Sequence, residues 1–449
     1  MQDFQTEYAS FCAAHGRPDR VELMLCDLNA VLRGKWLPGD DEAKLATGGV
    51  RLPLSTYAPN ILGEEVEATG LGITVGDPDG RLIPVAGTLQ PVPWAAQRPV
   101  AQVLVELQDE TGNIAANSPR RHLERMLERF AAKGLTPVVA TELEFYLVCP
   151  RTNPEDPPEP PAHSPRAQNY DLEVLDRTHG ILDAIRDGAM AQGLAPDTLI
   201  AEYGPGQFEI NFHHTDDAMK AADDALIFRR LVRGIARAHG MDATFMAKPY
   251  ADHPGNGMHA HISLVNADRH NLFDDGGPGP SATLKQAVAG TLATMADLQA
   301  VFAPHLNSYR RFQPNSFAPH APDWGLDNRA AAVRLPEVAG PGARLEHRIS
   351  GADVNPYLAL TAILGGMLHG LEHPDLPLPL PLDDPEGTMA VPLTADWATA
   401  VECFAGSQVA ADIFGPAYRA IYAAVRRDEI AQLSTAISQI EYRTYLGRL

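Results

Sequence analysis

Cysteine is scarce: the 449-residue chain has four, Cys12, Cys26, Cys149 and Cys403, and no two form a Cys-x-x-Cys pair. That excludes a disulfide framework and a thiolate zinc site, and leaves structural thiols suited to a reducing cytosol. Positive charge is the minority charge. Lysine plus arginine number 36 against 57 aspartates and glutamates, a formal net charge of -21, which argues against a general binder of nucleic acid or anionic membranes. Long apolar runs are missing as well: the most apolar late stretch, YLALTAILGGMLHGLEH, is broken by glycines and histidines. MQDFQTEYAS has no basic start followed by an apolar run. A membrane span or targeting peptide is therefore not expected, and the cytoplasm is the expected compartment. Two familiar phosphate loops, G-x-x-x-x-G-K-[ST] and a strand-linked G-x-G-x-x-G, are absent too, so any nucleotide must bind by another architecture.

What is there begins with TELEFYL, residues 141–147, inside the apolar run VVATELEFYLV. Successive strand side chains point to opposite faces, so Glu142 and Glu144 project together while Leu143 and Phe145 pack the other way. Paired carboxylates on a buried strand need a cationic partner, a divalent metal or an arginine, unless the strand is an edge with a wet face. Three other segments share the design. In GQFEINFHH, Phe208, Ile210 and Phe212 alternate with Glu209, Asn211 and His213, and Glu202 stands just upstream. GNGMHAHISLV places His259, His261 and Ser263 on one face, and ARLEHRIS does the same with Arg344, Glu346 and Arg348. Carboxylates joined by an imidazole suit Mg²⁺ or Mn²⁺ better than zinc. Arginine-rich NSYRRF, DNRAAAVRLP and ARLEHR add planar cations able to grip carboxylates or phosphates, or to make structural salt bridges.

Around these segments, residues 1–112 alternate short β-like runs with turn signals and read as a small, mostly β domain. From Ser118-Pro119-Arg120 the period becomes helical, with Leu123, Met126, Leu127 and Phe130 on one face and Gly134 as the stop, opening a larger α+β domain over 113–449. CPRTNPEDPPEPPAHSP and HPDLPLPLPLDDPEG read as loops. The tail from Trp397 reads as amphipathic helices that simply pack.

These motifs, CDLNAVLRGKWLP, GPGQFEI, ATFMAKP, GNGMHAHISL, NSYRRF, DNRAAAVRLP and LEHRISGADVNPYLAL, resemble the glutamine synthetase superfamily along almost the whole chain. The resemblance implies an α+β fold, a β-grasp-like N-terminal domain and a catalytic domain with an open antiparallel β-barrel flanked by helices. It also implies active sites between subunits of a homo-oligomer, a hexameric ring or a dodecamer. By the same resemblance, Glu144, Glu202 and Glu209 ligate one Mg²⁺ or Mn²⁺, and Glu142, His259 and Glu346 ligate another. Arg311, Arg348 and Gly255 hold glutamate; His261, Ser263, Arg329, Arg334 and Arg344 contact ATP or the transferred phosphate. The implied chemistry is activation of the glutamate γ-carboxylate by ATP as an acyl phosphate, followed by attack of an amine nitrogen.

The sequence departs from the ammonia-using members. Their flap carries a glutamate in a Pro-Gly-Tyr-Glu-Ala-Pro-like stretch, where this chain has PNSFAP with Phe317, and the following PDWGLDNR with Trp324 resembles γ-glutamylpolyamine synthetase-like members. Phenylalanine neither accepts a proton nor attracts a cation by full charge, though its ring can contact an ammonium or alkyl group. An organic amine, polyamine or monoamine, is therefore the expected substrate. The alternatives are a true glutamine synthetase or an inactive structural or sensing oligomer. Pro254 also stands where ammonia users usually have an asparagine, and Glu64, Glu65 and Glu67 could bind a distal amine or simply be solvated.

Overall fold

The computed structural model describes residues 4–95, 97–313, 317–387 and 389–449. Its strands are β1 (Arg20–Cys26), β2 (Leu32–Pro38), β3 (Arg51–Pro53), β4 (Asp79–Pro84), β5 (Gln90–Pro91), β6 (Val100–Gln108), β7 (Thr136–Val148), β8 (Pro196–Ala201), β9 (Gln207–Phe212), β10 (Asp242–Thr244), β11 (Met258–Val265), β12 (Trp324–Leu326), β13 (Val333–Glu337) and β14 (Arg344–His347). The helices are α1 (Phe4–His15), α2 (Glu42–Ala46), α3 (Pro119–Ala131), α4 (Leu172–Ala191), α5 (Ala218–Ala238), α6 (Ala282–Phe302), α7 (Pro356–Glu372), α8 (Trp397–Gly406), α9 (Gln408–Phe414), α10 (Pro416–Leu433) and α11 (Gln439–Tyr445).

A first sheet runs β2-β1-β6-β4-β3 with β5 beside β6. Alternation gives β1 two buried faces: Val21, Leu23 and Leu25 close a small core with α1, while Met24 and Cys26 join the main core. The second sheet, β12-β13-β14-β11-β7-β9-β8 with β10 beside β7, is a nearly closed, barrel-like surface. Its pairings are antiparallel apart from β12 with β13, which run parallel.

Helix α3 starts where the sequence reading puts it: the Ser118 hydroxyl accepts from the Arg121 amide, Pro119 sits in the first turn, and Gly134 beyond its end has φ +70°. Leu123, Met126 and Phe130 are buried and Leu127 partly so. Both proline-rich segments lack helix and strand among the described residues. The tail is helical, but packing ends with α10. Helix α11 has no buried residue, and Ile437, Ile440, Tyr442 and Leu446 are exposed. Helical periodicity shows an apolar stripe without showing that the chain itself covers it. Among the described residues no helix is long and apolar enough to cross a membrane, and all four cysteines are free.

Candidate active site

Strand register brings the four polar faces together. β7 pairs with β11 so that Glu142 faces His259, and with β9 so that Glu142 faces Asn211 and Glu144 faces Glu209. β11 in turn sets His261 opposite Glu346 of β14, and β13 sets Arg334 opposite the same glutamate. Directly opposed side chains have Cβ atoms roughly 5 Å apart, so polar residues at two-residue steps on adjacent strands converge. The reverse faces of these strands are core: Leu143, Phe145, Ile210, Ala260 and Ile262 are at most 1% exposed.

Glu142 lies at the centre. His259 Nδ1 approaches its Oε2 at 3.1 Å, His261 Nε2 its Oε1 at 2.8 Å, and Asn211 Nδ2 donates to Oε1 at 3.1 Å. Arg344 Nε donates to His261 Nδ1 at 3.2 Å, which makes that nitrogen the acceptor and leaves the Nε2 proton for Glu142. Burial alone would raise the Glu142 carboxyl, but the hydrogen bonds from His259 and His261 outweigh it and hold it far below the usual range. Glu346 is likewise held low, because Arg348 and the two histidines overcome its burial. Arg334 donates to its Oε2 at 2.9 Å, and Arg348 bonds its Oε1.

The neighbouring acids behave oppositely. Burial, then the charge of Glu202, pushes Glu144 up to about 8, against the Gly257 amide that donates to it at 2.7 Å. Glu209 is raised well above its ordinary value by burial and by Glu142, Glu144 and Glu202, and Glu202 is raised chiefly by burial. Three carboxyls that resist ionisation together are short of positive charge. Ligand atoms of Glu142, Glu209 and His259 lie within 4.8 Å of one another, as do those of Glu142, His261 and Glu346. An oxygen-rich set with imidazole, in which added positive charge would relieve the carboxylate repulsion, fits a hard divalent cation.

Glu142, Glu144, Glu202, Glu209 and His259 face a cavity of about 400 Å³. Of the residues singled out from sequence, Glu142, Glu144, Glu202, Glu209, His259, Gly255, Arg311, Phe317, Arg329, Arg334 and Arg348 line it. His261, Arg344 and Glu346 stand behind, joined to Glu142 and Arg334 by the bonds above, and Ser263 continues the His259–His261 face, buried. Trp324 does not line the cavity. It is 6% exposed in β12, and its indole N–H donates to the Pro379 carbonyl at 2.8 Å. Pro314, Asn315 and Ser316 of the PNSFAP flap lie outside the described residues. Phe317 is 70% exposed with φ +59°, and its ring meets Tyr203 at 5.1 Å between centroids. Tyr170 also lines this region. Glu64 and Glu65 are engaged elsewhere, with Asn60 at 3.2 Å and the Ile73 amide at 3.1 Å.

Sequence reasoning missed two classes of lining residue. Tyr203 and Tyr170 sit in turns without periodicity, so no signal marked them. Gln207 stands two residues before Glu209 on the same strand face, and that spacing could have revealed it. Its Nε2 donates to the Gly255 carbonyl at 3.0 Å and to Asn256 Oδ1 at 3.1 Å, fixing the backbone beside Arg311.

A carboxylate-lined cavity on a barrel-like sheet, in a chain that also carries a second, smaller sheet, is the architecture of the glutamine synthetase fold. The solved structure titled "GmaS/ADP complex-Conformation 1" superposes with TM-score 0.85 at 29% identity over 98% of this chain and 99% of that one. The chain belongs to the glutamine synthetase family: residues 116–445 match the model of the glutamine synthetase catalytic domain. It is 37% identical to gamma-glutamylputrescine synthetase PuuA of Escherichia coli K12, over 98% of this chain and 94% of that protein. Gamma-glutamylethanolamide synthetase GlnA4 of Streptomyces coelicolor is 34% identical, over 97% and 94%. Glutamate–isopropylamine ligase of a Pseudomonas species is 32% identical, over 95% of each. The chain is a carbon–nitrogen ligase by this kinship.

Proposed function

We propose that this protein joins the γ-carboxylate of glutamate to an organic amine at the expense of ATP, through a γ-glutamyl phosphate. The observation that carries the amine preference is the aromatic pair on the cavity wall, where Phe317, standing in the flap position that a glutamate holds in ammonia users, packs on Tyr203. Aromatic faces attract alkylammonium groups and cover their carbon chains, and do less for ammonium, which has no apolar surface.

In this reading Arg311, Arg348 and the Gly255 backbone hold glutamate, while Arg329, Arg334 and Arg344 offset charge on the phosphates. Glu142, Glu144, Glu202, Glu209, His259 and Glu346 would hold two or more Mg²⁺ or Mn²⁺, which when bound neutralise phosphate oxygens. His261 steadies Glu142 and is itself aligned by Arg344. A carboxylate oxygen attacks the terminal phosphorus and ADP leaves. The amine nitrogen then attacks the acyl carbon and loses a proton, and phosphate leaves. Among the described residues no lining residue comes from the first 112 positions, which supports completion of the site by a neighbouring subunit in a hexameric ring or dodecamer, tested by native mass measurement. A polyamine-metabolic, cytoplasmic role follows if the amine is a polyamine.

Phosphate release from ATP with glutamate, Mg²⁺ or Mn²⁺ and a panel of ammonium, putrescine, longer polyamines, ethanolamine and monoamines tests the reading. Turnover with an organic amine and little with ammonium is expected; preference for ammonium, or silence with every amine, overturns it.

A further inference from the structure

Helix α5 carries Arg229, Arg233 and Arg237 at four-residue steps, hence on one stripe, with Arg230 beside it. In a chain where acids outnumber bases 57 to 36, these arginines line a second cavity of about 550 Å³. It shares no lining residue with the catalytic cavity of about 400 Å³.

Of the four, Arg230 alone is paired with an acid among the described residues: it bonds Glu22, and its Nε donates to Gln102 at 2.9 Å. Arg229 is 6% exposed and gives Nη1 to the Val354 carbonyl at 2.6 Å, but its buried Nε has no acceptor among the described residues. The guanidinium groups of Arg233 and Arg237 make no hydrogen bond or ion pair among the described residues. Arg233 lies over the Phe245 ring at 5.5 Å, and burial, then the charges of Arg229 and Arg237, pulls it down to about 10. Among the described residues the one lining carboxylate is Asp353, whose Oδ2 accepts from Ser308 at 2.6 Å and which burial raises. His305, also on the wall, is held neutral by burial and by Arg426 and Arg229.

Desolvated guanidinium groups left unpaired are costly, and their planar donors match oxyanions in bidentate fashion. The space exceeds what a monatomic ion needs. We propose that this cavity binds a small organic polyanion, a molecule bearing two or more phosphate or carboxylate groups, through Arg229, Arg233 and Arg237.

The test is calorimetric titration of the assembled full-length protein with pyrophosphate and, separately, with citrate, the tighter probe indicating the phosphate or carboxylate source. Wild type is expected to bind one per chain at this site, more weakly as salt rises. Arg233→Gln and Arg237→Gln should each weaken that binding about tenfold or more, the usual worth of a charge-assisted hydrogen bond. Arg329→Gln, in the catalytic cavity, should leave it unchanged. Arg237 is exposed at the end of α5, so Arg237→Gln serves if Arg233→Gln does not fold. Absence of binding to wild type, equal binding by both α5 variants, or loss only in Arg329→Gln overturns the proposal.

Discussion

Substituting Gly255 by alanine should injure glutamate use far more than its one added methyl suggests. A Cβ built there would sit 2.4 Å from the Ala247 carbonyl oxygen and 2.9 Å from Arg311 Cγ, so both must give, by roughly 1 Å and 0.5 Å, to restore an ordinary contact. Neither can yield freely. The Ala247 carbonyl receives the Asn256 amide at 2.8 Å, and the Gly255 carbonyl receives Gln207 at 3.0 Å. Arg311 is buried and tied through Nη1 to the Ile349 carbonyl at 2.8 Å. Overpacking of this kind costs about 1–3 kcal/mol of stability. A displacement near 1 Å at a positioning group costs on the order of 100-fold in rate. Gly255→Ala should therefore lose about 10- to 100-fold in kcat/KM for glutamate, with the KM for ATP nearly unchanged because Arg334 and Arg344, on the phosphate side, sit on β13 and β14. ADP release at saturating amine measures both kinetic constants, and thermal unfolding measures the loss of stability. If Gly255→Ala keeps wild-type kcat/KM for glutamate and wild-type melting, the close approach and the role built on it are both wrong.

Placing a carboxylate at the mouth, Phe317→Glu, should raise ammonium use relative to the preferred amine by about five- to tenfold, the effect of roughly 1 kcal/mol of attraction; an unchanged ratio in the amine panel would refute the aromatic-wall argument. Dialysis against a chelator should abolish turnover, and Mg²⁺ or Mn²⁺ at about 100 times its dissociation constant should stabilise the fold by about 2.7 kcal/mol. Glu209→Gln should blunt that shift in a melting titration, and equal metal response in both proteins would count against the ligand assignment. Acid sensitivity has a separate source in His122, which burial holds at about 3 against its ordinary 6.5 between the rings of Phe414 and Tyr418. The unfolded chain binds a proton below about pH 6.5 that the folded state refuses, so this stability is present above 6.5 and is lost as pH falls toward 3. At pH 5 the loss is at most about 2 kcal/mol. His122→Phe should flatten the change in denaturation midpoint between pH 7 and pH 5, and identical slopes would rule His122 out as its cause.

The carboxylate site was legible because strands repeat every two residues. Glu142 with Glu144, His259 with His261, and Glu346 with Arg348 must share faces once their strands are recognised, and the apolar alternates Leu143 and Ile262 show which face is core. Helix α3 was legible for a local reason too, its serine cap and proline at the first turn. Which strand lies beside which was not local information. The central place of Glu142, flanked by His259 on β11 and Asn211 on β9, depends on two registers between distant segments. The aromatic wall failed similarly: Trp324 stands close to Phe317 in sequence, but strand β12 turns its indole to Pro379, and the ring that meets Phe317 is Tyr203, over a hundred residues earlier.

The arginine stripe of α5 shows where periodicity stops informing. Residues 229, 233 and 237 are visibly one helical face, and an exposed face of that composition would need no partner, since water supplies one. What gives it meaning is burial. Arg229 is 6% exposed with an unsatisfied Nε, and its neighbours repel one another across a shared cavity. The same reasoning applies to Glu144 and Glu209, whose cost lies in desolvation that only the closed sheet imposes. Sequence supplies the charges and their spacing, whereas tertiary burial decides which of them want a ligand. The two sites therefore differ in sign but share one physical signature, like charges gathered around a buried member, Glu209 in one and Arg229 in the other.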